Sequence, residues 1–84
     1  MHELHAADKI LHRVVDFGTD KLLNKITAIY IDLGSVVEHG EEIKPEMLRY
    51  NFNNLSRATI AEGAKLHINR IKGDTIKIKE IEGE

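Results

Sequence analysis

The residues best suited to chemistry lie at the start of the chain, where His2, Glu3 and His5 follow Met1. A free Met1 amine, the amide nitrogens of His2 and Glu3 and the His2 imidazole can close fused chelate rings around one ion. Four nitrogens in a plane suit Ni(II) or Cu(II) rather than tetrahedral zinc. The sequence therefore indicates a metal site at Met1, His2 and Glu3. The same residues also fit a solvated terminus in which Glu3 only complements the helix dipole.

Histidine spacing excludes one well-known metal motif and suggests a second candidate site. The metalloprotease pattern His-Glu-x-x-His is excluded because His5 comes one position too early after His2. His5, Asp8 and His12 stand at i, i+3 and i+7, on one polar side of a helix. They fit a second, weak metal site, or a solvated face on which Asp8 pairs with His12. His5 is also placed to approach an ion at the terminus from its axial side.

Composition limits the classes of function open to the chain. No cysteine occurs among the 84 residues, which excludes disulfides, thiolate zinc sites and cysteine nucleophiles. The formal net charge of −2 gives no broad positive surface that would attract nucleic acid. The sequence also contains no apolar run long enough to span a membrane and no secretory leader pattern. The sequence contains no phosphate-binding glycine loop and no recognisable set of residues for a catalytic nucleophile. We therefore do not expect an enzyme. We expect one cytoplasmic domain over residues 1–84 with no nucleic-acid or membrane partner.

Hydrophobic periodicity predicts the elements that must position these residues. A three-and-four spacing from Leu4 to Leu22 predicts a helix over 3–23, and β-branched residues over 26–34 predict a strand. Residues 35–44 follow neither period and predict an exposed loop. Pro45 then begins a second helix with a stripe at Leu48, Phe52 and Leu55.

In the last third of the chain, apolar and polar residues alternate over 64–71 and again from Ile76 onward, which predicts two strands. A tight turn at Gly73 is expected to join these strands as a hairpin. A right-handed crossover makes the first two strands parallel. The fold class is α+β, in the order helix-strand-helix-strand-strand, with two helices packed on one face of a mixed three-stranded sheet. Tyr30 and His67 fall on the exposed face.

In its ordered set of motifs, the chain resembles the HypA family of nickel-insertion proteins for hydrogenase maturation. The matching pieces are Met1-His2-Glu3, Leu33-Gly34, Pro45-Glu46-x-Leu48 with Phe52, Thr59-x-Ala61-Glu62-Gly63-Ala64-x-Leu66-x-Ile68 and Ile76-Lys77-Ile78-Lys79-Glu80-Ile81. No single piece is specific, but together they cover nearly the whole chain. The resemblance implies a nickel metallochaperone that binds Ni(II) at Met1, His2 and Glu3 and is not an enzyme.

The resemblance also implies partners, namely a GTPase of the maturation pathway and a nickel enzyme precursor. A homodimer is possible, and the sequence does not decide whether the chain dimerises. It leaves open a hydrogenase or a urease as recipient, and nickel or copper as the ion. The other hypothesis is a non-metal adaptor that recruits maturation proteins through an exposed sheet edge or face.

Two departures from the family pattern stand out. Ordinary members carry a zinc module with paired Cys-x-x-Cys motifs between the last two strands, where this chain has only a short turn near 72–75. We therefore expect no zinc. The loop over 35–44 is also longer than usual and brings His39, Glu41 and Glu42, which puts any partner contact of that loop in doubt.

Overall fold

The computed structural model describes residues 2–38 and 40–84; of His2, Glu3 and Glu38 it describes the backbone alone. Within those ranges the elements run as follows: α1 (His2–Asp20), β1 (Ile26–Leu33), β2 (Val37–Glu38), β3 (Glu41–Glu42), α2 (Pro45–Leu55), β4 (Lys65–Arg70) and β5 (Ile76–Gly83). The predicted α+β order is confirmed, and a small hairpin of β2 and β3 is added to it. No helix in the described part of the chain is long and apolar enough to cross a membrane.

The main sheet has three strands in the order β4-β1-β5. β1 runs parallel to β4, with Ile29 opposite Leu66, and antiparallel to β5, with Ile29 opposite Ile81. The predicted parallel crossover through α2 is therefore confirmed. The predicted hairpin of the last two strands is wrong, because β1 lies between them.

The chain between β4 and β5 crosses the end of β1 instead of making a hairpin turn. The Ile71 N–H donates to the Leu33 carbonyl at 3.0 Å, and the Ser35 N–H donates to the Gly73 carbonyl at 2.7 Å. A Cβ on Gly34 would lie 2.6 Å from the Gly73 carbonyl oxygen. Glycine at position 34 is thus what lets the crossing segment pass so close to β1.

A β-bulge in β5 keeps its three isoleucines on one face. Ile76, Ile78 and Ile81 are spaced two and then three residues apart, so strict alternation would turn Ile81 outward. The register shifts by one residue between the pairs Ile31–Ile78 and Tyr30–Glu80, which leaves Lys79 as the extra residue. All three isoleucines therefore pack against the core.

One core lies between the inner sheet face and the two helices. Helix α1 contributes Ala7 and Val14, α2 contributes Leu48 and Phe52, and all four are fully buried. The inward residues of β1 are Ile29, Ile31 and Leu33, as the alternation predicted. The prediction of two helices on one sheet face is confirmed.

Helix α1 ends earlier than the predicted range of 3–23. Its last residue is Asp20, and Leu22 is 87% exposed with φ of +58°, so the expected place of Leu22 on the core stripe is wrong. The N–H groups of Leu22 and Leu23 donate back to carbonyls of the last turn at 3.1 and 2.8 Å. This is a Schellman cap, in which the residue at the left-handed position points away from the core.

The segment 35–44 is only partly the exposed loop that the sequence predicted. β2 and β3 form a two-residue ladder with Val37 opposite Glu42, and Gly40 has φ of +84°. Ile43 is fully buried, and its N–H donates to the Val36 carbonyl at 2.8 Å. The expectation of an exposed loop is wrong at Ile43, which ties this segment to the core.

Candidate metal site

The predicted ligands lie at the first turn of α1. The backbone of His2 and Glu3 is helical, because α1 begins at His2. Met1 and the side chains of His2 and Glu3 lie outside the described residues. The ligand set Met1, His2 and Glu3 therefore stays a prediction, while the element that carries it is defined.

The first turn is joined to a firmly packed helix. Ala6 and Ala7 are buried, and they are followed on the same face by Ile10, Leu11 and Val14. These small and medium side chains let α1 approach the sheet and α2 closely. The amide groups at the beginning of any α-helix have no acceptor within the helix. The amides of His2 and Glu3 occupy such positions, so the hydrogen bonds of α1 do not depend on them.

The structure does not bring the described side chains of the second candidate set, His5, Asp8 and His12, together as metal ligands. With the proton on its Nδ1, the His12 ring donates to the Asp8 carbonyl at 2.9 Å, and the same nitrogen lies 3.6 Å from the Asp8 carboxylate. His5 is exposed. Among the described side chains, no group of three His, Asp or Glu residues is placed to hold a metal ion. The alternative, a solvated face with Asp8 paired to His12, is confirmed.

A surface groove of about 520 Å³ runs beside the N-terminal half of α1. Ala6, Lys9 and Ile10 line it from the helix, and Val36 and Asp74 line it from the opposite side. The segment 71–75 therefore lies across this groove from the second turn of α1. The short connection between the last two strands is thus close to the helix that carries the candidate ligands.

The outer sheet face carries an aromatic pair. The rings of Tyr30 and His67 stack with centroids 4.7 Å apart and planes 9° apart. The Tyr30 hydroxyl donates to a Glu82 carboxylate oxygen at 3.2 Å, and this hydrogen bond is the main cause that raises the pKa of Tyr30. The predicted position of both rings on this face is confirmed. The stack itself was not predicted, although the strand register that pairs them could have indicated it.

Side chains connect the edge strand β4 to α2 and to β3. On β4, the Arg49 Nε–H donates to the Leu66 carbonyl at 3.1 Å, and Arg70 pairs with Glu42 at 3.4 Å. These contacts were not predicted, because nothing in the spacing of α2 marks Arg49 as a residue that reaches the strand edge.

Comparison with known proteins identifies the family. The family model described as hydrogenase/urease nickel incorporation, metallochaperone, hypA matches residues 1–82. The hydrogenase maturation factor HypA of Archaeoglobus fulgidus is 35% identical over 74 residues, covering 88% of this chain and 64% of that protein. HypA of Pyrococcus furiosus is 33% identical over 66 residues, covering 79% of this chain and 45% of the relative. The chain thus spans between about half and two thirds of these relatives.

The fold agrees with this comparison. The solution structure of the Ni metallochaperone HypA from Helicobacter pylori superimposes with a TM-score of 0.80 at 8% sequence identity, and the match covers 96% of each chain. At that identity the structural likeness concerns the fold alone, while the family model and the sequence relatives carry the assignment. The chain belongs to the HypA family of nickel metallochaperones for hydrogenase maturation, which are not enzymes.

Proposed function

We propose that this chain binds Ni(II) through the Met1 amine, the His2 and Glu3 amides and the His2 imidazole, and delivers the ion for hydrogenase maturation. The observation that carries the proposal is that α1 begins at His2. Amides at the start of a helix have no acceptor within it, so the two amides can lose their protons and bind a metal without breaking a helical hydrogen bond. The same ligands inside a helix would cost such bonds.

The charge of the proposed complex suits the end of a helix. The beginning of a helix carries a partial positive charge, which opposes a bound cation. Two deprotonated amides balance the two charges of Ni(II), so the complex is neutral at the metal. Planar coordination by nitrogen suits nickel or copper, and the membership of the family favours nickel.

We propose further that the nickel domain spans 1–84 without a zinc module. The chain contains no cysteine, and its last two strands are joined by the short crossing segment 71–75. In the family that this chain resembles, delivery involves a GTPase and a nickel enzyme precursor in the cytoplasm, and we assign the same partners here.

The test is a nickel titration of three forms of the chain by calorimetry, with circular dichroism as the control for folding. The native form should bind one Ni(II), with a weak yellow absorption typical of planar nickel. A form with one glycine before Met1 should lose the site, because an ordinary amide then replaces the amine. Acetylation of Met1 should have the same effect.

Histidine variants locate the imidazole ligand. His2→Ala should abolish tight binding, whereas His12→Ala and His67→Ala should change it little, because both histidines already have partners away from the terminus. Binding should strengthen as pH rises, since amine, imidazole and amides must lose protons. Equal affinity of the native and the glycine-extended forms, with the same pH dependence, would refute the proposed ligand set.

A further inference from the structure

The outer edge of β5 is open and carries charges without partners. β5 is the last strand of the sheet order β4-β1-β5, and no described strand lies beyond it. Lys77, Lys79 and Glu80 are exposed, and within the described part of the chain their side chains make no ion pair and no hydrogen bond. The β4 edge differs, because the Leu66 carbonyl there accepts a hydrogen bond from the Arg49 side chain.

The sequence of this edge is complementary to itself. Residues 77–82 are Lys-Ile-Lys-Glu-Ile-Glu, so reading the segment backwards exchanges every lysine for a glutamate and leaves the isoleucines in place. If two copies paired antiparallel about the middle of this segment, Lys77 would face Glu82 and Lys79 would face Glu80. Opposite charges directly across two strands stabilise their pairing, and like charges destabilise it.

The bulge at Lys79 makes this pairing possible. In an unbroken strand, residues 77 and 82 point to opposite faces because they are an odd number of positions apart. The bulge removes that mismatch: Lys77 lies opposite Asp32 and Glu82 lies opposite Ala28, so both point to the outer face. Ile78 and Ile81 both point to the inner face. Lys79 lines a hollow on the outer face beside Tyr30, and Glu80 lies opposite Tyr30. Each pair in the symmetric arrangement therefore joins residues of one face.

Apolar surface next to the edge would be buried by the same pairing. Ile78 and Ile81 are only half-buried, although both pack against the core. They line a groove of about 430 Å³ between α1 and β5, together with Phe17, which is 39% exposed. A second copy on the β5 edge would set Ile78 against Ile81 of that copy and cover this groove from the side.

We propose that two copies of this chain associate through their β5 edges, which pair antiparallel across a twofold axis between Lys79 and Glu80. The two three-stranded sheets then form one continuous sheet. Main-chain hydrogen bonds between the two edges hold the copies together, while the alternating charges select this register and disfavour a shifted one. The interface is independent of the nickel ligands, so either proposal can fail without the other.

Sedimentation equilibrium of the full chain, up to millimolar concentration, tests the interface. The native chain should be in a monomer–dimer equilibrium. Lys79→Glu and Glu80→Lys should each raise the dissociation constant by at least about tenfold, because each sets like charges opposite one another at two places. Lys65→Glu makes the same change of charge on the opposite edge strand and should leave the dissociation constant unchanged.

Mixing the two variants is the decisive experiment. In a mixed dimer the glutamates of Lys79→Glu face the lysines of Glu80→Lys, so the mixture should associate more tightly than either variant alone. The double variant K79E/E80K should recover the native association. Misfolded variants would not regain association on mixing, and circular dichroism checks their folding. A native chain that is monomeric throughout, variants that dimerise like the native chain, or a mixture that stays monomeric would each overturn the proposal.

Discussion

Replacing Leu22 by glycine should stabilise the protein, even though it removes a large apolar side chain. Leu22 lies just after α1 with φ of +58°, a left-handed conformation that the Cβ of an L-residue disfavours. The Schellman cap formed by Leu22 and Leu23 fixes this conformation. Glycine is the usual residue at that position of the motif because it has no Cβ.

The expected gain follows from three contributions. The left-handed conformation costs leucine about 1–2 kcal/mol, which glycine avoids. Glycine loses about 0.5–1 kcal/mol through its greater freedom in the unfolded chain. The side chain of Leu22 is 87% exposed, so little burial is lost. The free energy of unfolding should therefore rise by about 0.5–1 kcal/mol, and Tm by about 2–8 °C for a domain of this size.

Urea unfolding followed by circular dichroism measures this change. The matched control is Leu22→Ala, which removes most of the side chain but keeps the Cβ and hence most of the strain. Leu22→Gly should be more stable than both the native chain and Leu22→Ala, with an unchanged denaturant slope. If Leu22→Gly is less stable than the native chain, Leu22 contributes to the core and the assignment of strain is wrong.

Three further predictions concern the crossing segment, the outer face and the metal content. Gly34→Ala should lower the free energy of unfolding by about 2 kcal/mol or more, because the new Cβ would meet the Gly73 carbonyl at 2.6 Å; a change within about 0.5 kcal/mol in urea unfolding contradicts this. In a Tyr50→Phe background, Glu82→Gln should lower the pKa of Tyr30 in an absorbance titration, and an unchanged pKa would mean that Glu82 is not the cause. The stabilisation linked to this hydrogen bond is present below pH 10.0 and is lost as pH rises through the raised pKa of Tyr30. The purified protein should contain no zinc and remain folded in strong chelator, whereas stoichiometric zinc in elemental analysis would contradict the prediction.

The regular parts of the fold could be predicted because their patterns are local. Alternation placed Ile29, Ile31 and Leu33 on the inner face, and Pro45 marked the start of α2. The hairpin prediction failed for a physical reason. A short glycine-containing connection between two strands is compatible with adjacent strands, and also with strands separated by a third one. The interactions that decide between these arrangements are the hydrogen bonds between 33–35 and 71–75, which are distant in sequence.

The irregular parts were harder to predict because the interactions that cause them leave no periodic pattern in the sequence. The spacing of Ile78 and Ile81 indicates a bulge only when the register against β1 is known. Leu22 continues the helical spacing, but the cap turns the chain before it can reach the core. The pairing of Asp8 with His12, by contrast, was among the alternatives because the two residues are four positions apart on one helix.

If nickel binds at Met1, His2 and Glu3 as proposed, we expect the metal to be bound and released without a change of fold. A metal whose ligands come from the core contributes directly to folding, so its removal unfolds the protein, as in structural zinc sites. Here the proposed ligands precede Ala6 and Ala7, which are the first buried residues among the described side chains of α1. The amides of His2 and Glu3 lie in the first turn and have no acceptor within the helix, and the described packing of α1 against the core begins at Ala6. With the proposed ligand set, we expect loss of nickel to cost the protein only the coordination bonds, so that the affinity depends on those bonds and on pH rather than on the stability of the domain. We expect an ion held in this way to be accessible to a partner that approaches the first turn of α1, which is what delivery requires.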